Sequence, residues 1–273
     1  MAIITISRQV AALGDEIADA LAKKMGYKFV DRKYIEKRIV ELGFPEEKMK
    51  KYDERKPGFF ASLVKDRDEY LDYLQTAILE TAKDGNCILI GRGSFVVLEN
   101  VPNLIAVRFV AKDEIREKRL MKEFDWNKKQ AQGRISESDE NRKGFHKNFF
   151  NIDPDDPSNY HLTLNTGLLD VEECSDAIAK LCKSLITDEK EVAGGKKVQE
   201  LYQAQIVVNA LVFEHKVNVN FLRAVIDGDK LILQGVADSL AISEKAVALA
   251  REIMPDKTVE SNISIVQDFN TYP

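Results

Sequence analysis

The sequence predicts an α/β protein in two parts: a parallel sheet with flanking helices, then a smaller α/β unit. Three observations carry this. Short apolar runs alternate with stretches of helical periodicity over residues 1–187, the pattern of strands joined by helical crossovers. A charged segment, 188–197, holds Ala193-Gly194-Gly195 and reads as a flexible linker. Beyond it, over 198–273, the rhythm changes to helix, hairpin, helix and strand.

Ile3-Ile4-Thr5-Ile6 is a short apolar strand that runs through Ser7-Arg8 into a loop and then a helix. Ile17, Ala18, Leu21 and Ala22 recur at helical spacing, and Gly26 suits the helix end. Residues 27–30 form a second strand, and Asp31 can cap a helix from Arg32. Residues 44–67 are strongly charged, with Pro45 and Pro57 breaking regularity, and read as a mobile, solvent-facing insertion. Residues 69–84 are helical. Cys87-Ile88-Leu89-Ile90 is a continuous apolar run, as in a strand covered on both faces, and ends at Gly91-Arg92-Gly93-Ser94. Residues 104–110 form the next strand. Helices follow over 112–124 and, with a very polar face, over 127–147. Residues 160–164 give the last strand of this half and 171–185 an amphipathic helix. In the second part, 198–211 is helical. Residues 218–226 and 230–234 pair as a hairpin about Asp227-Gly228-Asp229. Ser243 caps a helix running to Met254, and 259–266 is a closing strand.

The 273 residues suffice for one large domain or two, and the net charge of −5 argues against bulk attraction to nucleic acid or anionic membrane. Cys87, Cys174 and Cys182 show neither metal spacing nor an even disulfide set, which predicts reduced thiols and a cytoplasmic protein. No apolar stretch approaches the roughly 20 residues that span a bilayer, and the first residues lack a signal-peptide pattern.

In an open parallel sheet, ligands bind beyond the carboxyl ends of the strands. Four strand ends here carry Ser7-Arg8, Asp31-Arg32, Gly91-Arg92-Gly93 and Asn165-Thr166. A single arginine at such an end makes a surface ion pair. Three together suit a phosphate-bearing ligand, because guanidinium pairs bidentately with phosphate. The polar helix adds Arg134, Asp139 and Arg142. Asp139 and Arg142 share a face and form either an intrahelical ion pair or part of a lid over a phosphoryl-transfer site. His146, His161 and His215 share no spacing and read as structural or solvent-facing. Trp126, Phe145, Phe149 and Phe150 read as lid packing.

The opening loop is unusual for a phosphate cradle. Aligned on G-x-x-x-x-G-K-[ST], residues 9–16 keep only the second glycine, Gly14; Asp15 stands at the lysine position and Glu16 at the hydroxyl position. Two unit charges about 4 Å apart at an effective dielectric near 20 interact by roughly 4 kcal/mol. Exchanging cation for anion at Asp15 reverses that sign and weakens anion binding.

Residues 2–186 resemble the cytidylate kinase-like family of nucleoside monophosphate kinases, with a P-loop kinase-like sheet. The matching pieces are Ile4-Thr5-Ile6-Ser7-Arg8 with Gly14 and Glu16-Ile17-Ala18, then Phe29-Val30-Asp31-Arg32 and Ile90-Gly91-Arg92-Gly93. They continue in Asp139-x-x-Arg142 and in Tyr160-x-Leu162 with Asn165-Thr166. The resemblance implies phosphate transfer from ATP, with Mg²⁺, to a pyrimidine monophosphate. It implies that Ser7, Arg8, Gly14, Asp15 and Glu16 cradle the donor phosphates. Asp31, Arg32 and Arg92 would face the acceptor nucleotide, and Arg134, Asp139 and Arg142 would belong to the catalytic lid. No protein metal site is implied. Gly93 stands where cytidylate kinases tend to carry an acid, which leaves the acceptor base open. Residues 197–270 resemble a BON domain, the alternative being an ordinary hairpin packed on two helices. The resemblance implies a protein or ligand partner for this part, and self-association stays open. Two functions follow: an active kinase, or a nucleotide sensor on a catalytically weak kinase fold acting through the second part.

Overall fold

The computed structural model describes residues 2–49 and 64–266. They divide into two compact units, Met1–Lys197 and Val198–Pro273.

The first unit holds five strands: β1 (Ile3–Arg8), β2 (Lys28–Val30), β3 (Cys87–Ile90), β4 (Leu104–Val110) and β5 (Leu162–Asn165). All pair in parallel in the order β2-β3-β1-β4-β5. Ile3 stands opposite Cys87 and Leu104, so β1 is flanked on both sides. Its β-branched residues Ile3, Ile4 and Ile6 are buried, as a central strand requires. The helices are α1 (Gly14–Met25), α2 (Arg32–Glu41), α3 (Glu46–Met49), α4 (Val64–Ala82), α5 (Ser94–Val97), α6 (Asp113–Phe124), α7 (Lys128–Phe150) and α8 (Val171–Leu185). Ile17, Ala18 and Leu21 of α1 and Cys174, Ile178 and Cys182 of α8 share one core with Ile4, Ile6, Ile88, Ile105 and Val107 of the sheet. Local chemistry sets the helix ends. Asp31 accepts from the Tyr34 amide, Asn127 and Gln130 form a capping box on α7, and Asp170 and Glu173 form one on α8. Gly26 ends α1 at φ 67°.

Two expectations change here. The charged insertion expected over 44–67 lies partly outside the described residues; at its start, Phe44 is buried, edge-on to Tyr70 at 5.5 Å and Tyr73 at 5.6 Å. The flexible linker expected over 188–197 is instead the first half of α9 (Asp188–Asn209). An ideal Cβ on Gly194 would stand 1.9 Å from Asn103 Oδ1, so this glycine serves a close approach rather than chain freedom. Burial keeps all three cysteines as thiols, pushing Cys87 up to about 12 and Cys174 and Cys182 up to about 11.

The second unit carries β6 (Asn220–Asp227), β7 (Lys230–Ala237), α10 (Leu240–Ile253) and β8 (Thr258–Ile265). β6 and β7 are antiparallel, β7 and β8 parallel, in the order β6-β7-β8. Val207, Val208 and Leu211, Leu231 and Leu233, and Ala246 and Ala250 build its separate core. Ser243 does not cap α10. The helix begins a turn earlier, at Leu240 after Ser239, and Ser243 is buried with its Oγ 3.0 Å from Ser261 Oγ. No described helix is long and apolar enough to cross a membrane.

Candidate functional site

Because β1 to β5 are parallel, their carboxyl ends share one edge, and the loops that follow meet there. The loop after β1 is fixed by its neighbours. The Gln9 amide donates to Phe109 O at 3.0 Å, and Gln9 Oε1 accepts from the Ala111 amide at 3.0 Å. Ala11 and Leu13 both take φ 56°, the left-handed region that glycine would fill without strain. Gly14 is needed for another reason. A Cβ there would stand 2.7 Å from Arg8 Cγ, so the Arg8 side chain lies directly across the start of α1. Asp15 and Glu16 are exposed in the first turn of α1 and offset the positive end of its dipole. Arg119 reaches in from α6 and donates to Ala11 O at 2.9 Å, Thr166 Oγ1 at 3.1 Å and Thr166 O at 2.5 Å. Burial disfavours its charged form, and Glu16 partly restores it.

Beside this loop is a small cleft lined by Ile6, Ser7, Arg8, Gly91, Gly93, Phe95, Arg142, Phe145 and His146, of about 10 Å³. Gly91, Arg92 and Gly93 all have positive φ, at 81°, 56° and 68°. That turn sends the Arg92 side chain inward, where it is 1% exposed. Arg92 pairs with Glu36, donates to Tyr70 Oη at 3.2 Å and lies 5.8 Å from the Phe145 ring centre. Glu36 also accepts from Arg32 Nε at 2.7 Å, so one carboxylate joins two arginines from separate strand ends. Ser7 Oγ accepts from Arg108 Nη1 at 2.8 Å; Arg108 also pairs with Asp155, which takes Lys143 of α7 at 2.6 Å. Burial pushes the nearby Tyr160 phenol up, while Ser7 and Arg108 pull the other way.

The sequence-named residues are thus sorted. Ser7, Arg8 and Arg142 line the cleft, and Arg32 and Arg92 meet at Glu36. Asp31 is engaged as the cap of α2. Asp139 does not form the intrahelical pair with Arg142. It holds buried Arg116 through contacts of 2.9 and 3.2 Å, and Arg142 donates to Ser138 Oγ at 2.7 Å. Arg134 is half-exposed, 3.5 Å from Glu137, and not among the cleft residues. His146, read from sequence as structural or solvent-facing, is buried and lines the cleft. Glu36, Arg108, Arg116 and Arg119 carry no assigned role in the sequence reading. Arg108 has a visible signal, one cation inside the apolar strand Leu104–Val110, and Glu36 follows Arg32 by one helical turn.

The sequence model of the cytidylate kinase-like family matches residues 3–168. A cytidylate kinase of Methanocaldococcus jannaschii is 29% identical over 186 residues, covering 67% of this chain and 98% of that protein. The crystal structure of an uncharacterized protein from Eubacterium ventriosum superposes with a TM-score of 0.55 at 21% identity, covering 67% of this chain and 98% of that one. That likeness shows a shared fold. Shared sequence over more than half its length, on a five-stranded parallel sheet with arginines at the strand ends, assigns this chain to the cytidylate kinase-like family.

Proposed function

We propose that the first unit is a nucleoside monophosphate kinase that moves phosphate from ATP to a pyrimidine monophosphate. The observation that carries this reading is the Arg32–Glu36–Arg92 network beside a cleft holding Arg8 and Arg142. An acceptor phosphate is the anion best suited to displace Glu36 from two forked guanidinium groups. The donor phosphates lie against Arg8, Gly14 and the amides that open α1. These groups position two phosphates and neutralise charge between them, and no covalent intermediate is required.

Mg²⁺ bound with the donor would screen the transferring group. The exposed carboxylate of Glu16, at the hydroxyl position of the loop, is the oxygen donor that the loop offers it, in keeping with a cation that binds through one or two carboxylates plus phosphate. The cleft of about 10 Å³ is far below the roughly 300 Å³ of a small-molecule site. Binding therefore requires α7, which brings Arg142, Phe145 and His146, to move outward and then close again with water excluded.

A coupled assay for ADP with CMP, UMP and AMP as acceptors tests this. Turnover with a pyrimidine monophosphate, and a raised acceptor KM in Arg92→Lys, are expected; no ADP from any acceptor overturns the proposal. The exposed Asp15 favours a second reading, a nucleotide sensor, for which calorimetry shows mononucleotide binding while the same assay stays silent. In either reading the second unit, with its BON-like order of helix, hairpin, helix and strand, serves interaction.

A further inference from the structure

β8 is an edge strand of eight residues, paired on one side only with β7. Alternate residues of a parallel strand turn their backbone groups to the same neighbour. Thr258 and Val266 bond to the β7 side, to Asp229 O and Ala237 O. The amides and carbonyls of Val259, Ser261, Ile263 and Ile265 therefore point away from the sheet. Of these amides, that of Ile263 reaches the Ser261 hydroxyl at 3.3 Å, and the other three have no hydrogen-bond partner among the described residues. The usual protections of an edge are missing: no proline, no bulge and no lysine interrupts Thr258–Ile265. Its one charge, Glu260, is taken by Lys230 at 2.7 Å.

Beside this edge runs an open groove of about 400 Å³ between α10 and β8. Leu240 and Ile265 contribute exposed apolar surface to it, 61% and 39% accessible. Its charges are Glu244 and Arg251, both exposed and without an ion-pair partner among the described residues. They are seven residues apart, two turns and about 10.5 Å along one face of α10, with Val247 and Ala248 midway. That arrangement is self-complementary. A two-fold axis at Val247 and Ala248 sets Glu244 against Arg251 of the other copy and Arg251 against its Glu244.

We propose that a second copy of this chain docks here, with β8 pairing antiparallel to its counterpart and the two α10 helices packing across the groove. The three-stranded sheets then become one continuous sheet, every outward amide of β8 gains a carbonyl, and both lone charges are paired.

The full chain tests this by light scattering and sedimentation over a range of concentrations. A dimer is expected. Glu244→Arg and Arg251→Glu should each weaken it roughly 10- to 100-fold by setting like charges together. The double variant Glu244→Arg with Arg251→Glu should restore it. Because both side chains are exposed, neither single variant disturbs the core, and rescue by the pair separates docking from misfolding. Ser261→Pro, which blocks the free edge, should leave a monomer. A wild type that stays monomeric, whether bare or with another peptide on the edge, overturns the proposal. So does a dimer indifferent to the charge variants, or a double variant that fails to recover.

Discussion

Arg92 shows what a single residue does in this fold. A guanidinium 1% exposed needs a counter-charge, and Glu36 supplies it while also holding Arg32. Removing one partner of such a pair leaves a buried charge, a loss of ~3–5 kcal/mol when fully buried. Glu36 is a quarter exposed, so Glu36→Gln should lower stability by about 2 kcal/mol in urea unfolding, and a nucleoside monophosphate should recover more of it than in wild type. Asp15→Lys reverses the wrong-signed charge in the phosphate loop and should tighten ATP about tenfold by calorimetry; unchanged or weaker binding contradicts the charge argument. His161 gives a pH signature. Partial desolvation of its ring lowers it below its ordinary 6.5, and its Nδ1 accepts from the Ala106 amide at 3.0 Å, which a protonated ring cannot do. The unfolded chain then binds more protons than the folded one just below pH 6.5, so this contribution is full above that value and lost as pH falls. The Tm should drop on acidification, and less steeply in His161→Gln, which keeps an acceptor without titrating.

Among the elements, α9 and α7 are governed by where a glycine stands rather than by propensity. Two adjacent glycines inside a 22-residue helix should both weaken it. They differ in surroundings, since a Cβ on Gly194 collides with Asn103 and one on Gly195 meets nothing within 4 Å. Gly195→Ala should therefore stabilise the chain by about 1 kcal/mol, and Gly194→Ala should destabilise it, as read by thermal unfolding. At the end of α7, Phe150 packs onto Gly93, where a Cβ would fall 2.2 Å from its ring at a backbone φ of 68°. An acid at this position would push Phe150 away. Gly93 and the Phe150 ring are thus fitted to each other beside the cleft.

At the scale of the molecule, the two units hold separate cores, one around the parallel sheet and one around β6, β7 and β8. A ligand that binds only the folded first unit stabilises it by mass action. Calorimetry with saturating nucleotide should raise the transition of residues 1–197. Variants of the groove beside β8 should leave that shift unchanged.

The parallel sheet is legible because β1, β3 and β4 are continuous apolar runs with polar punctuation at their carboxyl ends; the strand order β2-β3-β1-β4-β5 is not. Strand–helix alternation, the caps at Asp31 and Gly26 and the arginines at three strand ends are local or periodic features, which a sequence displays directly. Residues 188–197 read as a linker because Gly194 looks identical in sequence whether it frees a chain or admits Asn103. Asp139 looked like a partner for Arg142 because spacing brings them to one face; only packing brings Arg116 to it from α6. Sequence by itself determined the α/β class and its parallel sheet with flanking helices, because these follow from hydrophobic period. Tertiary structure alone decided that Arg92 joins Arg32 on Glu36 and that α7 lines the cleft, because packing, not spacing along the chain, brings these residues together.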